Sequence, residues 1–82
     1  MMECSIVELR PRQRATVADV DWPSLGEGEA RRLREFGLDR GVEVELLHRS
    51  MIRGGPVACR IGRMTIAVRA RVAGAIRVAP AA

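Results

Sequence analysis

The sequence contains no lysine and no tyrosine, and Trp22 and Phe36 are its only aromatic residues. Its hydrophobic core must therefore be built from aliphatic side chains, which is feasible because apolar residues make up 48% of the chain. Scarce aromatics also argue against modules that stack single-stranded bases or line a polyproline groove, because both depend on aromatic side chains. At 82 residues the chain is expected to form one small domain, residues 1–82, that buries roughly 60–65% of its unfolded surface.

Long apolar runs are also missing. No run approaches the roughly 18–20 residues of a membrane-spanning helix, and the N-terminal stretch lacks the basic, apolar and small-residue order of a signal peptide. The chain is therefore expected in the cytosol, without direct insertion into a membrane. Its cysteines are Cys4 and Cys59, and in a reducing compartment two such residues predict free thiols rather than a disulfide.

All fourteen basic residues are arginines, and the formal net charge is +4. Arginine binds phosphate in a bidentate manner, so a nucleic-acid-binding or regulatory module is one interpretation of this composition. The alternative is a solvated surface. The sequence favours it, because the arginines are spread from Arg10 to Arg77 and alternate with acidic residues in the most charged segment.

Motifs of catalysis and cofactor binding are absent from the sequence. It contains no phosphate-binding loop, no dinucleotide fingerprint, and no His-x-x-x-His or Cys-x-x-Cys pair. His48 is the only histidine and lies far in sequence from both cysteines, which favours a surface residue because metal sites need three or four donors. We therefore predict that the protein is not an enzyme and has no cofactor, no catalytic residue and no metal site.

Strands are predicted near the N-terminus, and a helix follows them. The segments SIVEL (5–9) and RATVADVD (14–21) are rich in β-branched residues and are separated by a turn that contains proline. Ser24 and Glu27 then match an S-x-x-E capping box, which predicts one α-helix around residues 24–36. Gly26 and Gly28 cost about 1 kcal/mol each relative to alanine if they are interior, which leaves a start of the regular helix near Glu29 as the alternative.

The helix is expected to end at Gly37, because the position after a helix often takes positive φ and glycine does so without strain. Leu38 would close the cap, and Asp39-Arg40-Gly41 turns the chain into the segment VEVELL. This segment alternates with a period of two and predicts a strand. Its inward residues are Val42, Val44 and Leu46, and its outward residues are Glu43 and Glu45.

Gly62-Arg63 predicts a hairpin between VACRI and MTIAV, because a two-residue loop with glycine first is typical of a type II′ turn. The predicted register pairs Ile61 with Met64, Cys59 with Ile66, and Val57 with Val68. Cys59 is therefore interpreted as a small buried hydrophobe rather than a reactive or metal-binding thiol. A short turn, ARVAGA, and a last strand, IRV, complete the chain.

Five or six short strands and one inserted helix predict a mainly β fold, a small and partly open barrel. Residues 31–50 and 54–78 resemble the FeoA family, small cytosolic proteins of bacterial ferrous iron uptake. The resemblance covers almost the whole chain and rests on a helix pair, a corner, a turn, a loop and a last strand. These are Arg32-Leu33, Phe36-Gly37-Leu38, Arg40-Gly41, Gly54-Gly55-Pro56 and Ile76-Arg77-Val78.

The resemblance implies an SH3-like barrel that acts as a binding module. Its expected partner is FeoB, the membrane ferrous iron transporter with a cytosolic GTP-binding domain, which would recruit this protein to the inner face of the membrane. Four residues depart from the family pattern at structural positions, and they bear on how typical a member the chain is. They are Arg12 for a usual glycine, Phe36 for leucine or methionine, Gly55 for aspartate and Val72 for an acidic residue.

A partner-binding surface is predicted around the helix-to-strand corner. Its expected members are Arg31, Arg32, Arg34 and Glu35 on the wet face of the helix, Arg40 in the turn, and Met51 and Ile52 in the following loop. The two apolar residues either meet a partner or plug one end of the barrel. Self-association remains open as well, because a barrel of short strands leaves edges that can pair.

Overall fold

The computed structural model describes residues 3–81, which form six strands, two α-helices and two short 3-10 helices. The strands are β1 (Cys4–Ser5), β2 (Arg14–Val20), β3 (Glu43–Arg49), β4 (Val57–Ile61), β5 (Met64–Val68) and β6 (Ile76–Pro80). The α-helices are α1 (Glu27–Glu35) and α2 (Ala70–Gly74), and the 3-10 helices are Ile6–Glu8 and Trp22–Ser24.

All six strands belong to one antiparallel sheet in the order β1-β6-β2-β3-β4-β5, so β1 and β5 are its edges. The sheet surrounds an aliphatic core. Its largest fully buried side chains include Ile6, Leu9, Leu46, Ile61 and Ile76. The predicted mainly β fold with an inserted helix is confirmed.

The N-terminal strand prediction over residues 5–9 is wrong except at Ser5. The chain leaves β1 and forms the 3-10 helix Ile6–Glu8, at whose start the Ser5 amide donates to Glu8 Oε1 at 2.8 Å. A strand would point Ile6 and Leu9 to opposite faces, whereas residues three apart in a 3-10 helix share one face. The 3-10 helix therefore lets both side chains enter the core, where they are 0% and 1% exposed.

Helix α1 begins at Glu27, between the predicted start at Ser24 and the alternative start near Glu29. The capping contact runs from the Gly26 amide to Glu29 Oε1 at 3.0 Å, while the Ser24 hydroxyl donates to the Asp21 carbonyl oxygen. Glu29 also accepts a 2.6 Å hydrogen bond from Arg71 in α2. Arg71 and Glu29 are 42 positions apart in sequence. A local S-x-x-E match therefore does not reveal which glutamate caps the helix.

The predicted end of α1 is confirmed. Gly37 has a φ of 88°, its amide donates to the Arg34 carbonyl, and the Leu38 amide donates to the Leu33 carbonyl, both at 3.0 Å. These two bonds are the Schellman pattern that satisfies carbonyls left open at a helix end. Leu38 is 3% exposed and packs into the core, so the cap also anchors the corner.

Two glycine-to-alanine substitutions, one inside α1 and one just after it, are expected to change the free energy of unfolding in opposite directions. Gly37→Ala places a Cβ in a left-handed conformation and should lower the free energy of unfolding by about 1 kcal/mol. Gly28 lies inside the helix, and the Cβ that Gly28→Ala adds has no other atom within 4 Å. This substitution should therefore raise the free energy of unfolding by a few tenths to about 1 kcal/mol. Urea unfolding of both variants measures the two changes in free energy. Changes in the same direction would contradict the cap assigned to Gly37.

The predicted hairpin is confirmed with its register: Ile61 pairs with Met64, Cys59 with Ile66 and Val57 with Val68. Gly62 has a φ of 59°, as the first position of a type II′ turn requires. After Arg69 the predicted turn is the short helix α2, and the last strand extends to Pro80.

Glu45 is an outward residue by its alternation, yet it is only 7% exposed. The register places Arg14 of β2 and Arg60 of β4 directly opposite it, and the Arg60 guanidinium lies 3.0 Å from its carboxylate. Arg12 adds a third guanidinium at 3.9 Å. Arg12 has a φ of 71°, a conformation more often held by glycine, and its amide donates to the Leu46 carbonyl. The outward position predicted for Glu45 is therefore not a solvated one, because three arginines cover its carboxylate.

Candidate partner-binding surfaces around helix α1

Helix α1 buries one face and exposes the other, as its spacing predicts. Ala30 and Leu33 are buried against the sheet. All four residues predicted for the wet face are exposed, namely Arg31, Arg32, Arg34 and Glu35. Within residues 3–81, none of the three arginines forms an ion pair with a carboxylate. Their guanidinium groups are therefore available to another molecule.

One side of α1 borders a shallow depression that we call the tryptophan groove, with a volume of about 800 Å³. The Arg34 guanidinium lies 4.3 Å from the centre of the Trp22 ring, which is the geometry of a cation–π contact. Trp22 itself is half-buried in the 3-10 helix before α1. The groove is lined by Trp22, Pro23, Leu25, Glu27, Ala30, Arg31, Arg34 and Glu35.

Trp22 was not among the residues predicted for the surface. The sequence signal that points to it is a single tryptophan followed by proline outside any strand, since such a residue has no fixed place in a strand pattern. Only the packing of Trp22–Ser24 against α1 shows that its ring meets an arginine of the predicted surface.

The other side of α1 faces strand β5 across a second depression, the edge groove, with a volume of about 360 Å³. Arg32 lines this groove and not the tryptophan groove. The exposed helix face that was predicted to form one surface is thus divided between two grooves. The edge groove is lined by Glu29, Arg32, Leu33, Phe36, residues 66–68, Arg69 and Val72.

Arg40 lies in the corner before β3 and forms an ion pair with Asp19 at 3.2 Å, in which both side chains are more than half exposed. Met51 and Ile52 are 98% and 76% exposed in the loop after β3, so the expectation that they plug the barrel is wrong. The seven residues of β3 separate the corner from this loop by about 20 Å. Arg40 and the two apolar residues therefore belong to different patches.

The cysteines and the histidine do not come together. Cys59 is fully buried, and burial raises the pKa of its thiol to about 11. Cys4 is half-buried, with a pKa raised by burial and by the nearby Glu8 carboxylate, and both thiols are free. His48 is exposed on β3. Across residues 3–81, no three His, Cys, Asp or Glu side chains are grouped closely enough to hold a metal ion.

No helix within the described residues is long and apolar enough to cross a membrane.

Comparison with known proteins places these features in a family. A sequence profile described as the FeoA domain matches residues 4–80. FeoA of Stenotrophomonas maltophilia, solved in complex with zinc and described as a prokaryotic SH3 domain protein, is 30% identical, with a TM-score of 0.73. That match covers 90% of this chain and 87% of the relative. FeoA of Chlorobium tepidum is 29% identical with a TM-score of 0.78, covering 95% of this chain and 70% of the relative.

The fold also occurs inside a larger protein. A manganese-dependent transcriptional repressor is 19% identical with a TM-score of 0.81, and the match covers 96% of this chain but only 42% of the repressor. This similarity shows a common fold and nothing about a common function. Among curated protein sequences, none matches this chain.

Proposed function

This chain belongs to the FeoA domain family, which is associated with ferrous iron transport, and we propose that it binds the cytosolic side of the transporter FeoB. In this proposal it is a binding protein that modulates the assembly or activity of the transporter, and it carries out no catalysis itself. The relative from Stenotrophomonas maltophilia has been put forward as a ferrous iron transport activating factor, which supports a role of this kind.

The tryptophan groove is the observation that carries the proposal. Tryptophan and arginine are the residue types most enriched among side chains that dominate binding energy at protein interfaces. Here Arg34 already lies over the Trp22 ring, and Arg31 lines the same groove. A partner that covers this pair would bury an aromatic ring together with two guanidinium groups that have no carboxylate partner within residues 3–81.

The loop with Met51 and Ile52 is proposed as a separate, weaker contact. Two adjacent apolar side chains this exposed are unusual on a protein that functions alone. Arg40 is expected to contribute less, because its guanidinium already has a carboxylate partner, Asp19 at 3.2 Å, whereas those of Arg31 and Arg34 have none within residues 3–81.

Titration calorimetry with the detergent-solubilised transporter from the same organism tests this proposal. The Arg31→Glu/Arg34→Glu variant should bind at least about tenfold more weakly than the unchanged protein, because it reverses the charge of both arginines that line the tryptophan groove. Arg10→Glu/Arg77→Glu is the matched control: it makes the same change of charge at exposed positions that do not line the groove. Its affinity should stay within about twofold, since distant surface charges act weakly at moderate salt.

Binding to nucleic acid is the outcome that would replace this proposal. Helix α1 carries three glutamates and three arginines, so its formal charge is zero and it offers a phosphate backbone little net attraction. If the transporter shows no binding in any nucleotide state while a DNA duplex binds with an affinity that falls steeply with salt, the proposal of transporter binding is wrong.

A further inference from the structure

Strand β5 is an open edge of the sheet. It pairs with β4 alone, through a two-residue hairpin whose closing pair is Ile61 and Met64. In such a ladder every second residue turns its amide and carbonyl away from the neighbouring strand. On β5 these residues are Thr65 and Ala67, and within residues 3–81 no other backbone or side chain occupies their outward groups. An edge of this kind is a template for an additional strand.

The edge groove runs along this open edge. Ile66, Ala67 and Val68 all line it, although successive side chains of a strand point to opposite faces. Three consecutive residues can line one groove only if it follows the backbone edge. Opposite them, Leu33 and Phe36 supply an apolar wall from the end of α1. The volume of about 360 Å³ lies in the range of sites that hold ligands.

The charges around the groove select an acidic occupant. Arg32 and Arg69 line the groove, and Arg63 lies in the hairpin loop immediately before β5. All three are exposed and form no ion pair in the described part of the chain. Glu29 is the one carboxylate in the lining, and it is neutralised by Arg71 at 2.6 Å.

The same bias extends beyond the groove. All ten acidic residues of the sequence lie at or before Glu45, so the part of the chain that forms β4, β5, α2 and β6 contains arginines and no carboxylate side chain. An incoming acidic segment would meet no repulsion from these elements.

We propose that β5 binds an extended, acidic segment of another protein by strand addition. The segment pairs antiparallel with the outward groups of Thr65 and Ala67. Its acidic side chains lie on the same face as Arg63 and Arg69, and its alternate apolar side chains contact the wall that contains Phe36. This site goes beyond binding to the transporter, and it does not require that function.

A second copy of this chain fits the edge poorly in the register that uses the outward groups of both Thr65 and Ala67 in each copy. Two β5 strands that pair antiparallel, with Thr65 of one copy opposite Ala67 of the other, place Arg63 of one copy opposite Arg69 of the other. Like charges directly opposite each other destabilise a strand pair. The edge is therefore suited to a different, negatively charged strand.

The probe for this site is a seven-residue peptide of alternating glutamate and valine, labelled with fluorescein and followed by fluorescence anisotropy. Saturable binding is expected, with shifts of the Thr65 and Ala67 amide signals in NMR spectra and slower hydrogen exchange at both amides. Methylating the backbone amides of the glutamates, which face β5 in the proposed register, should abolish binding. Methylating the valine amides, which point away, should leave it within about twofold.

Variants of the protein make the test independent of the peptide chemistry. Arg63→Glu/Arg69→Glu should weaken binding at least tenfold, and Arg10→Glu/Arg53→Glu is the control with the same charge change. Ala67→Pro removes an outward amide that β4 does not use and should also abolish binding. If that variant does not fold, the arginine variant still decides. Arg31→Glu/Arg34→Glu should bind the peptide normally, which separates failure of this proposal from failure of transporter binding.

Three results would overturn the proposal. The first is absence of saturable binding by the glutamate–valine peptide. The second is equal binding of the peptide methylated at its glutamate amides, because strand addition requires those donors. The third is tighter binding of an oligothymidylate that tolerates Ala67→Pro, which would assign the basic face to nucleic acid.

Discussion

Replacing Ile61 by alanine is expected to lower the free energy of unfolding by about 2–5 kcal/mol. Ile61 is 1% exposed and ends β4, where it pairs with Val44 on one side and Met64 on the other. Removing its three outer carbon atoms leaves a cavity that the strands on either side cannot readily close. A chain of 82 residues has a total stability of only about 4–12 kcal/mol, so the loss is a large fraction of it.

Ile52 offers a matched control, because Ile52→Ala removes the same atoms from a side chain that is 76% exposed. That variant should change the free energy of unfolding by no more than about 0.5 kcal/mol. Urea unfolding monitored by circular dichroism gives both values. A large effect at Ile52, or a small one at Ile61, would contradict the burial described here.

Raising the pH from 9 to 11 is expected to lower the free energy of unfolding by about 2 kcal/mol through Cys59. Burial raises the pKa of this thiol from its ordinary value of 9.0 to about 11 in the folded protein. The folded state therefore holds its proton more tightly than the unfolded chain does. The stabilisation is complete below pH 9 and is lost as the pH rises towards 11.

This alkaline loss can be measured cleanly because the chain has no lysine and no tyrosine. Arginine keeps its proton throughout the range, so Cys4 and Cys59 are the side chains that titrate there. Cys59→Ala should remove most of the pH dependence, whereas Cys4→Ala should leave most of it. Urea unfolding between pH 8 and pH 11 decides the matter, and an unchanged slope in Cys59→Ala would show that another process causes the loss.

The two proposed binding sites lie on opposite sides of α1 and can be separated by charge reversal. Arg31 and Arg34 line the tryptophan groove and not the edge groove, whereas Arg69 lines the edge groove and not the tryptophan groove. If the transporter supplies the acidic strand as well as the surface that covers Trp22, its binding should be weakened both by Arg31→Glu/Arg34→Glu and by Arg63→Glu/Arg69→Glu. If the transporter covers the tryptophan groove alone, only Arg31→Glu/Arg34→Glu should weaken its binding.

Local signals account for the parts of the fold that were predicted correctly. The end of α1 depends on Gly37 and its immediate neighbours, and the β4–β5 hairpin depends on Gly62 in a two-residue loop. In both cases one residue with positive φ and the apolar residues beside it determine the backbone path. The capping residue of α1 was predicted wrongly as Ser24 instead of Gly26, because each of them is followed three positions later by a glutamate.

The candidate surface was predicted in part. The wet face of α1 followed from helical spacing, and the exposure of Met51 and Ile52 agrees with their place in a loop rich in glycine. The position of Trp22 beside Arg34 did not follow from spacing, because the ring reaches the helix from a separate 3-10 helix.

By itself the sequence determined the fold class, the helix-to-strand corner, the hairpin register and the family resemblance, since each rests on residues close together in the chain. Only the tertiary structure decided which residues from distant segments meet. It placed β1 beside β6, surrounded Glu45 with arginines of β2 and β4, and divided the arginines of α1 between two grooves. The physical reason is that contacts between strands depend on their order and register in the sheet, which the free energy of the whole core selects.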